Sequence, residues 1–233
     1  MISWNKTKVL VGDFETTVFT GQEFTEVWAS AVVEIGSEDV EVFHSIDETF
    51  DYLNSLNKDV IIYYHNLKFD GEFWLYYLAK KLNYKQAFSG EIDKPETIKM
   101  LKKREMPSKS FTYAISDRGQ WYKILIKTGK HTIEIRDSLK LLPFSVKQIG
   151  ESFKTKHKKL EMEYKGKRYA GCTITDEEKE YIKNDVLVVK EALEFMFEQG
   201  HDSLTIGACC LTEYKRIIGK HFFRCYVPRF NSV

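Results

Sequence analysis

The sequence predicts an α/β fold, a mixed β-sheet flanked by helices, on three observations. Apolar runs of strand length, such as Val9-Leu10-Val11 and Val60-Ile61-Ile62, have the consecutive pattern of buried strands. Segments of helical spacing alternate with them behind a front meander of strands. After Thr175, a long stretch brings Ile182, Val186, Val189, Leu193 and Met196 onto one helical face. The 233 residues are 43% hydrophobic and 14% aromatic, enough for a sizeable core, and the whole span 1–233 reads as one domain. With 30% charged residues and only four prolines, long disordered tracts are not expected.

The elements follow in order. The first strand is expected over 8–14, and two more over 26–35 and 40–44. A helix near 46–56 has Ser45 as its cap and Asp47 and Glu48 in its first turn, where the helix dipole favours anions. A buried strand over 60–64 and an aromatic-rich helix over 71–82 come next. From about residue 83 the pattern lapses into a lysine-rich excursion, 85–110, expected as a short helix and a mobile loop. Strands around 121–127 and 131–136 are joined by a Thr128-Gly129-Lys130 turn. Thr175 and Glu178 have the capping-box spacing at the start of the long helix. A last helix near 204–218 precedes an irregular end. Residues 205–233 thus read as a C-terminal helix and the beginning of a connection.

Composition excludes some classes. A formal net charge of +1 leaves any nucleic-acid surface to local clustering. Nothing approaches the roughly 18 consecutive apolar residues of a membrane helix, so no membrane partner is expected. The start lacks a secretory pattern, which places the protein in the cytosol. Cys172, Cys209, Cys210 and Cys225 form no CxxC pair, and with His221 they match no usual zinc spacing, so plain thiols are expected.

Three short motifs carry the chemistry. Asp13 and Glu15 are separated by one residue at a strand end, so both leave the same face. Asp70 stands where a buried strand gives way to a helix, three residues after Leu67 and four after Asn66, a place where an anion also serves as a cap. Tyr181 and Asp185 are four apart and share a helix face, with Asp185 directly before the apolar run Val186 to Val189. Clustered carboxylates need counter-charge, and two divalent cations, Mg2+ or Mn2+, are the usual device for cutting phosphodiesters. The expectation is a metal-dependent exonuclease. In it Asp13, Glu15, Asp70 and Asp185 hold the cations, and Tyr181 with Glu15 orients the attacking water. The lysine-rich stretch of Lys154, Lys156, Lys158, Lys159, Lys165, Lys167 and Arg168 surrounds Tyr164. It reads either as a solvated run or as a single-strand groove with base stacking.

These motifs resemble the 3′–5′ exonuclease domain of the protein-primed family B DNA polymerases of phages and linear plasmids. The resemblance covers nearly the whole chain. It rests on DFETT (13–17), YHNLKFDG (64–71), GQWY (119–122), DSLKLLPFSVK (137–147), residues 159–164 and YIKND (181–185). It implies an RNase H-like sheet of the four-carboxylate exonucleases and nucleoside 5′-monophosphates released from the 3′ end of single-stranded DNA. It carries the metal carboxylates onto Asp13, Glu15, Asp70 and Asp185, and the water-orienting role onto Tyr181. Single-strand ligands fall on Thr16, Tyr64, His65, Asn66, Phe69, Phe73, Ser138, Leu139 and Tyr164. A lysine contacting the scissile phosphate falls on Lys159, with Lys158 one register away. A polymerase domain or a terminal protein is the further partner implied. No SLYP-type or DTDS-type motif occurs, so DNA synthesis and priming are not expected of this chain. Two other readings stand beside it: a DNA-binding module with weak or vestigial cleavage, and an exoribonuclease with the same carboxylate set.

Overall fold

In the computed structural model of the chain, residues 2–129, 131–163 and 167–226 are described. The chain opens with strands β1 (Thr7–Thr16), β2 (Val27–Glu34) and β3 (Val40–Phe43), then helix α1 (Ile46–Ser55) and strand β4 (Asp59–Tyr64). Helix α2 (Leu67–Tyr76) continues as a π-helical segment, Tyr77–Lys81, in which Leu82 N–H donates to Tyr77 O at 3.0 Å. Three two-residue strands follow: β5 (Lys85–Gln86), β6 (Phe88–Ser89) and β7 (Lys99–Met100). Strands β8 (Ser110–Ile115), β9 (Trp121–Lys127) and β10 (Thr132–Asp137) complete the sheet. The helices α3 (Val146–Ser152), α4 (Asp176–Glu198), α5 (Ile206–Ile218) and α6 (Lys220–Tyr226) end the described chain.

The large sheet runs in the order β3-β2-β1-β4-β10-β9-β8-β5. β1, β4 and β10 are parallel, whereas β2 and β3 on one side and β9 and β8 on the other are antiparallel additions. The period of two in β1 then decides everything around it. Val9 and Val11 face a core shared with Ile149 of α3 and with Ile182, Val186, Val189 and Leu193 of α4. Leu10 and Phe14 face the other core, shared with Phe50 and Leu53 of α1 and Leu67 and Trp74 of α2. Helices therefore cover both faces, and the apolar stretch of α4 is buried as its spacing predicts. Thr175 caps α4, and the reciprocal bond of Glu178 to Thr175 N–H is present at 2.9 Å.

Several boundaries differ from the sequence reading. α2 begins at Leu67, four residues earlier than expected, because Asn66 takes the left-handed conformation (φ 66°) that turns the chain from strand into helix. The 85–110 excursion contains no α-helix. It adds β5 parallel to β8 and a separate β6–β7 pair, with a single 3-10 turn at Pro95–Thr97. Ala87, Met106 and Leu125 give it a small core of its own. Strands of two residues are too short for alternation to show in a sequence. β8 and α3 were likewise not expected, and the end read as irregular is helical as far as Tyr226. Lys130 of the expected turn, and residues 227–233, lie outside the described residues. No described helix is long and apolar enough to cross a membrane.

The GQWY segment has a packing role. A Cβ on Gly71 would lie 2.6 Å from Trp121 Cζ3, so α2 sits on β9 only because residue 71 has no side chain. Gly71→Ala is expected to cost about 1–3 kcal/mol through overpacking. The urea midpoint of the variant, measured without DNA, tests this, and an unchanged midpoint would reject it.

Candidate carboxylate site at the end of the central strand

Asp13 and Glu15 continue the face of β1 that Val9 and Val11 begin, the face under α4. Their partners across the β1–β2 ladder are Ala31 and Ala29, both fully buried, so small side chains leave space beside the acids. Asp185 descends from α4 onto the same place. One carboxylate oxygen from each of Asp13, Glu15 and Asp185 lies within 4.8 Å of the others. Asp70 comes from α2, which packs on the opposite face of the sheet, and it stands outside that group of three. Its charge still acts on Asp13. The structure thus brings the four acids to one end of β1, three tightly and one from across the sheet edge.

Their electrostatics are those of an overcharged site. Burial, then the charges of Asp70, Glu15 and Asp185, pushes the Asp13 carboxyl well above the ordinary carboxylate range, with Lys159 opposing. Burial pushes Asp70 up to about 8, partly offset by the backbone amides of Asp70 and Phe14, with Glu15 and Asp137 adding to the rise. Asp185 is raised by burial while Lys159 lowers it. Among the described residues, Asp70 Oδ1 and Asp185 Oδ1 are buried without a hydrogen-bond partner. Clustered oxygen donors, mutual repulsion and two orphaned oxygens fit hard divalent cations.

The counter-charge expected beside Asp185 is Lys159. Its ammonium bonds Asp185 Oδ2 and lies 3.2 Å from the Tyr181 hydroxyl, with the Tyr181 ring beneath it at 5.1 Å. Burial works against the charged lysine, but its bonds to Asp185 and Tyr181 hold its pKa above the usual value. Lys158 is turned elsewhere, donating to Gly150 O at 2.7 Å. Of the two lysines, Lys159 is the one that faces the carboxylates.

The other expected residues divide by depth. Asn66 and Phe69 are exposed, with Phe73 and Leu139 partly so. Phe69 and Phe73 meet edge to face at 5.5 Å, and with Phe24 and Tyr76 they line an open cleft of about 590 Å3. Thr16 is buried at the end of β1, and Tyr64 is fully buried, its ring 5.0 Å from that of Phe14. Ser138 is also fully buried, its hydroxyl 3.1 Å from Tyr64 O and 3.0 Å from His65 Nδ1. His65 Nε2 lies 2.8 Å from Phe144 O. A carbonyl only accepts, so Nε2 carries the proton, consistent with burial lowering the pKa of this imidazole. As placed, Tyr64, His65 and Ser138 form a clip beneath the site. Tyr164, and Lys165 of the basic stretch, lie outside the described residues. Most of the other basic side chains have partners within the fold: Arg168 pairs with Glu178, Lys156 with Glu38, and Lys167 lies over the Phe19 ring. No continuous groove of free lysines runs through that stretch among the described residues.

Sequence reasoning missed Asp137. Its buried carboxylate accepts from the N–H groups of Asn66 (3.2 Å), Leu67 (3.2 Å) and Leu139 (3.0 Å), with Lys140 Nζ 3.6 Å away. It holds the left-handed turn that aims α2, and hence Asp70, at the site. An aspartate ending a strand before Ser-Leu-Lys hinted at a local turn, but its partners some seventy residues away did not show. Asp137→Ala, which orphans three amides, is expected to cost roughly 3 kcal/mol. Chemical denaturation reads this directly, and a loss below about 1 kcal/mol would sink the assignment.

The family described as DNA polymerase type B, organellar and viral, matches residues 51–172. The DNA polymerase of Bacillus phage Nf is 36% identical over 231 residues, covering 96% of this chain and 36% of the relative. The structure of Phi29 DNA polymerase complexed with primer-template DNA superposes with a TM-score of 0.78 at 32% identity, covering 94% of this chain and 36% of that one. The complex of the same polymerase with single-stranded DNA gives 0.77 at 33% identity. The chain thus spans about a third of the length of the proteins it matches.

Proposed function

The chain belongs to the organellar and viral type B DNA polymerases, and on that footing we propose that it is a metal-dependent 3′–5′ exonuclease acting on single-stranded DNA, a proofreading module by descent. The observation that carries this reading is the convergence of Asp13, Glu15 and Asp185 at the end of β1, with Asp70, Tyr181 and Lys159 beside them. A structural cluster of like charges would only weaken the fold. Asp13, Glu15, Asp70 and Asp185 would hold two divalent cations, Mg2+ or Mn2+. When bound, these supply charge neutralisation, an acidified water and a stabilised leaving oxygen.

The chain's own groups divide the remaining work. The Tyr181 hydroxyl and the Glu15 carboxylate orient the attacking water in line with the terminal phosphodiester. The Lys159 ammonium, held at Tyr181 and Asp185, faces the phosphate oxygens and offsets their charge. Exposed Phe69, with Phe73 and Asn66 nearby, offers the stacking and polar contacts for the last bases. Tyr64, His65 and Ser138, bonded to one another before the turn at Asn66, support that strand end from below, and Thr16 closes β1 beside Glu15. The product is a nucleoside 5′-monophosphate.

The test is release of mononucleotides from a 5′-labelled oligonucleotide in Mg2+ or Mn2+ and in EDTA, with DNA and RNA of one sequence in parallel. Shortening from the 3′ end that needs the cation supports the proposal. Retained binding with no turnover would favour the binding module, and equal cutting of RNA would broaden the substrate. Tyr181→Phe is expected to lower the rate at least tenfold while binding in EDTA stays unchanged. Full activity in that variant would remove the tyrosine from the mechanism.

A further inference from the structure

Beyond Asp185, α4 makes a second set of contacts. Glu191 lies six residues further on, about 9 Å along the axis. Its Oε2 accepts from Lys156 N–H at 2.6 Å and from His157 N–H at 3.4 Å, and its Oε1 lies 2.5 Å from His157 Nδ1. The loop it grips is pinned from the other side as well. Thr155 Oγ1 donates to His157 O at 2.6 Å, and Lys158 Nζ ties to Gly150 O. The next residue is Lys159, whose ammonium reaches Tyr181 and Asp185.

Glu38, His157 and Glu191 also have the donor types of a metal site and lie close enough for one. Their oxygens are already in use. Glu38 bonds Lys190 at 2.9 Å and Lys156 at 3.4 Å, while Glu191 serves two amides and an imidazole. A cation there would sit among ammonium groups, so the cluster is a clamp.

We infer that Glu191 is a positioning residue that fixes the 155–159 loop against α4 and so sets the register of Lys159 with Asp185 and Tyr181. Lysine has a long flexible stem and gains no aim from its own geometry. Anchoring its backbone to the helix that also carries Tyr181 and Asp185 removes that freedom. A displacement of about 1 Å at a reacting centre is enough to cost orders of magnitude in rate. Glu191 touches neither substrate nor the carboxylate group, and its effect passes through Lys159. The consequence for rate rests on the exonuclease reading, whereas the clamp itself does not.

The experiment therefore has two arms. In the first, Glu191→Ala and Glu191→Gln are made in the wild-type chain, and Glu191→Ala also in a Lys159→Ala background, and nucleotide release is measured. Glu191→Ala should lower kcat about tenfold with KM little changed. Glu191→Gln, which keeps a carbonyl for the Lys156 amide, should recover most of that. In the Lys159→Ala background the same change should have no further effect, because the two act on one element. In the second arm, trypsin in EDTA should cut Glu191→Ala within 154–159 several-fold faster than wild type. A tenfold loss repeated in the Lys159→Ala background, or unchanged trypsin cutting, overturns the inference. If the wild-type chain releases no nucleotide, the exonuclease reading fails, and the trypsin arm alone decides the clamp.

Discussion

Asp13→Asn is expected to abolish nucleotide release and, in the same protein, to raise its melting temperature in EDTA. The two effects share a cause. Asp13 is raised by burial and by three neighbouring acids, so without cations its charge is a cost to the folded state. The amide keeps the shape and removes the repulsion. A gain of about 1 kcal/mol, after allowance for solvent screening, corresponds to roughly 2–4 °C for a chain of this size. The loss of rate should exceed about a thousandfold, because the carboxylate is asked to bind and neutralise at the reacting centre. Asp185→Ala should fail in the same assay, but it frees Lys159 from its partner, so no gain in stability is expected of it. Nucleotide release at the wild-type rate by either variant would end the metal-site reading.

The second large effect is a stability that falls as pH rises, but only when cations are absent. Asp70 has a folded pKa of about 8 against an ordinary value near 3.8. A carboxyl raised on folding stabilises fully below its unfolded pKa, and that contribution is lost as pH rises through the folded one. Asp13 and Asp185 are shifted in the same direction and add to the trend. Asp59 is held down to about 2 by its bonds to Lys103 and Thr132 against the cost of burial, so its contribution is lost only in strong acid. His65, lowered by burial, works the opposite way as pH rises through the ordinary imidazole value. It is one group against three raised carboxyls, so between pH 5 and pH 8 the carboxylate site should dominate. Melting temperatures in EDTA should decline across that window, and Mn2+ should raise them more at pH 8 than at pH 5. A flat profile in EDTA would contradict the crowding of charge described for the site.

Strong periodicity made β1, β4 and α4 readable in advance, and the capping box at Thr175 was readable from two residues. Short elements were not: β5, β6 and β7 have two residues each, and the seven residues of α3 form barely two turns. For the site, acids two apart on a strand and a tyrosine and aspartate four apart on a helix declare their shared faces locally. Depth is another matter. Nothing in YHNLKFDG says that Tyr64 is fully buried while Phe69 is exposed, because both are aromatic and burial depends on what packs above them. Asp137 and Glu191 were invisible as holders of other residues, since what they hold lies about seventy and thirty-five positions away in the chain.

The sheet separates α2 from α4, and Asp13 and Glu15 lie at the end of β1 on the α4 face, where the charge of Asp70 still reaches Asp13. On the proposed exonuclease reading, cutting demands that both halves of the sandwich be docked at once, one delivering Asp70 and the other Asp185. Loosening of either helix on warming should then stop nucleotide release while most of the backbone remains ordered. Activity would then be a more sensitive gauge of the fold's integrity than any spectroscopic melt.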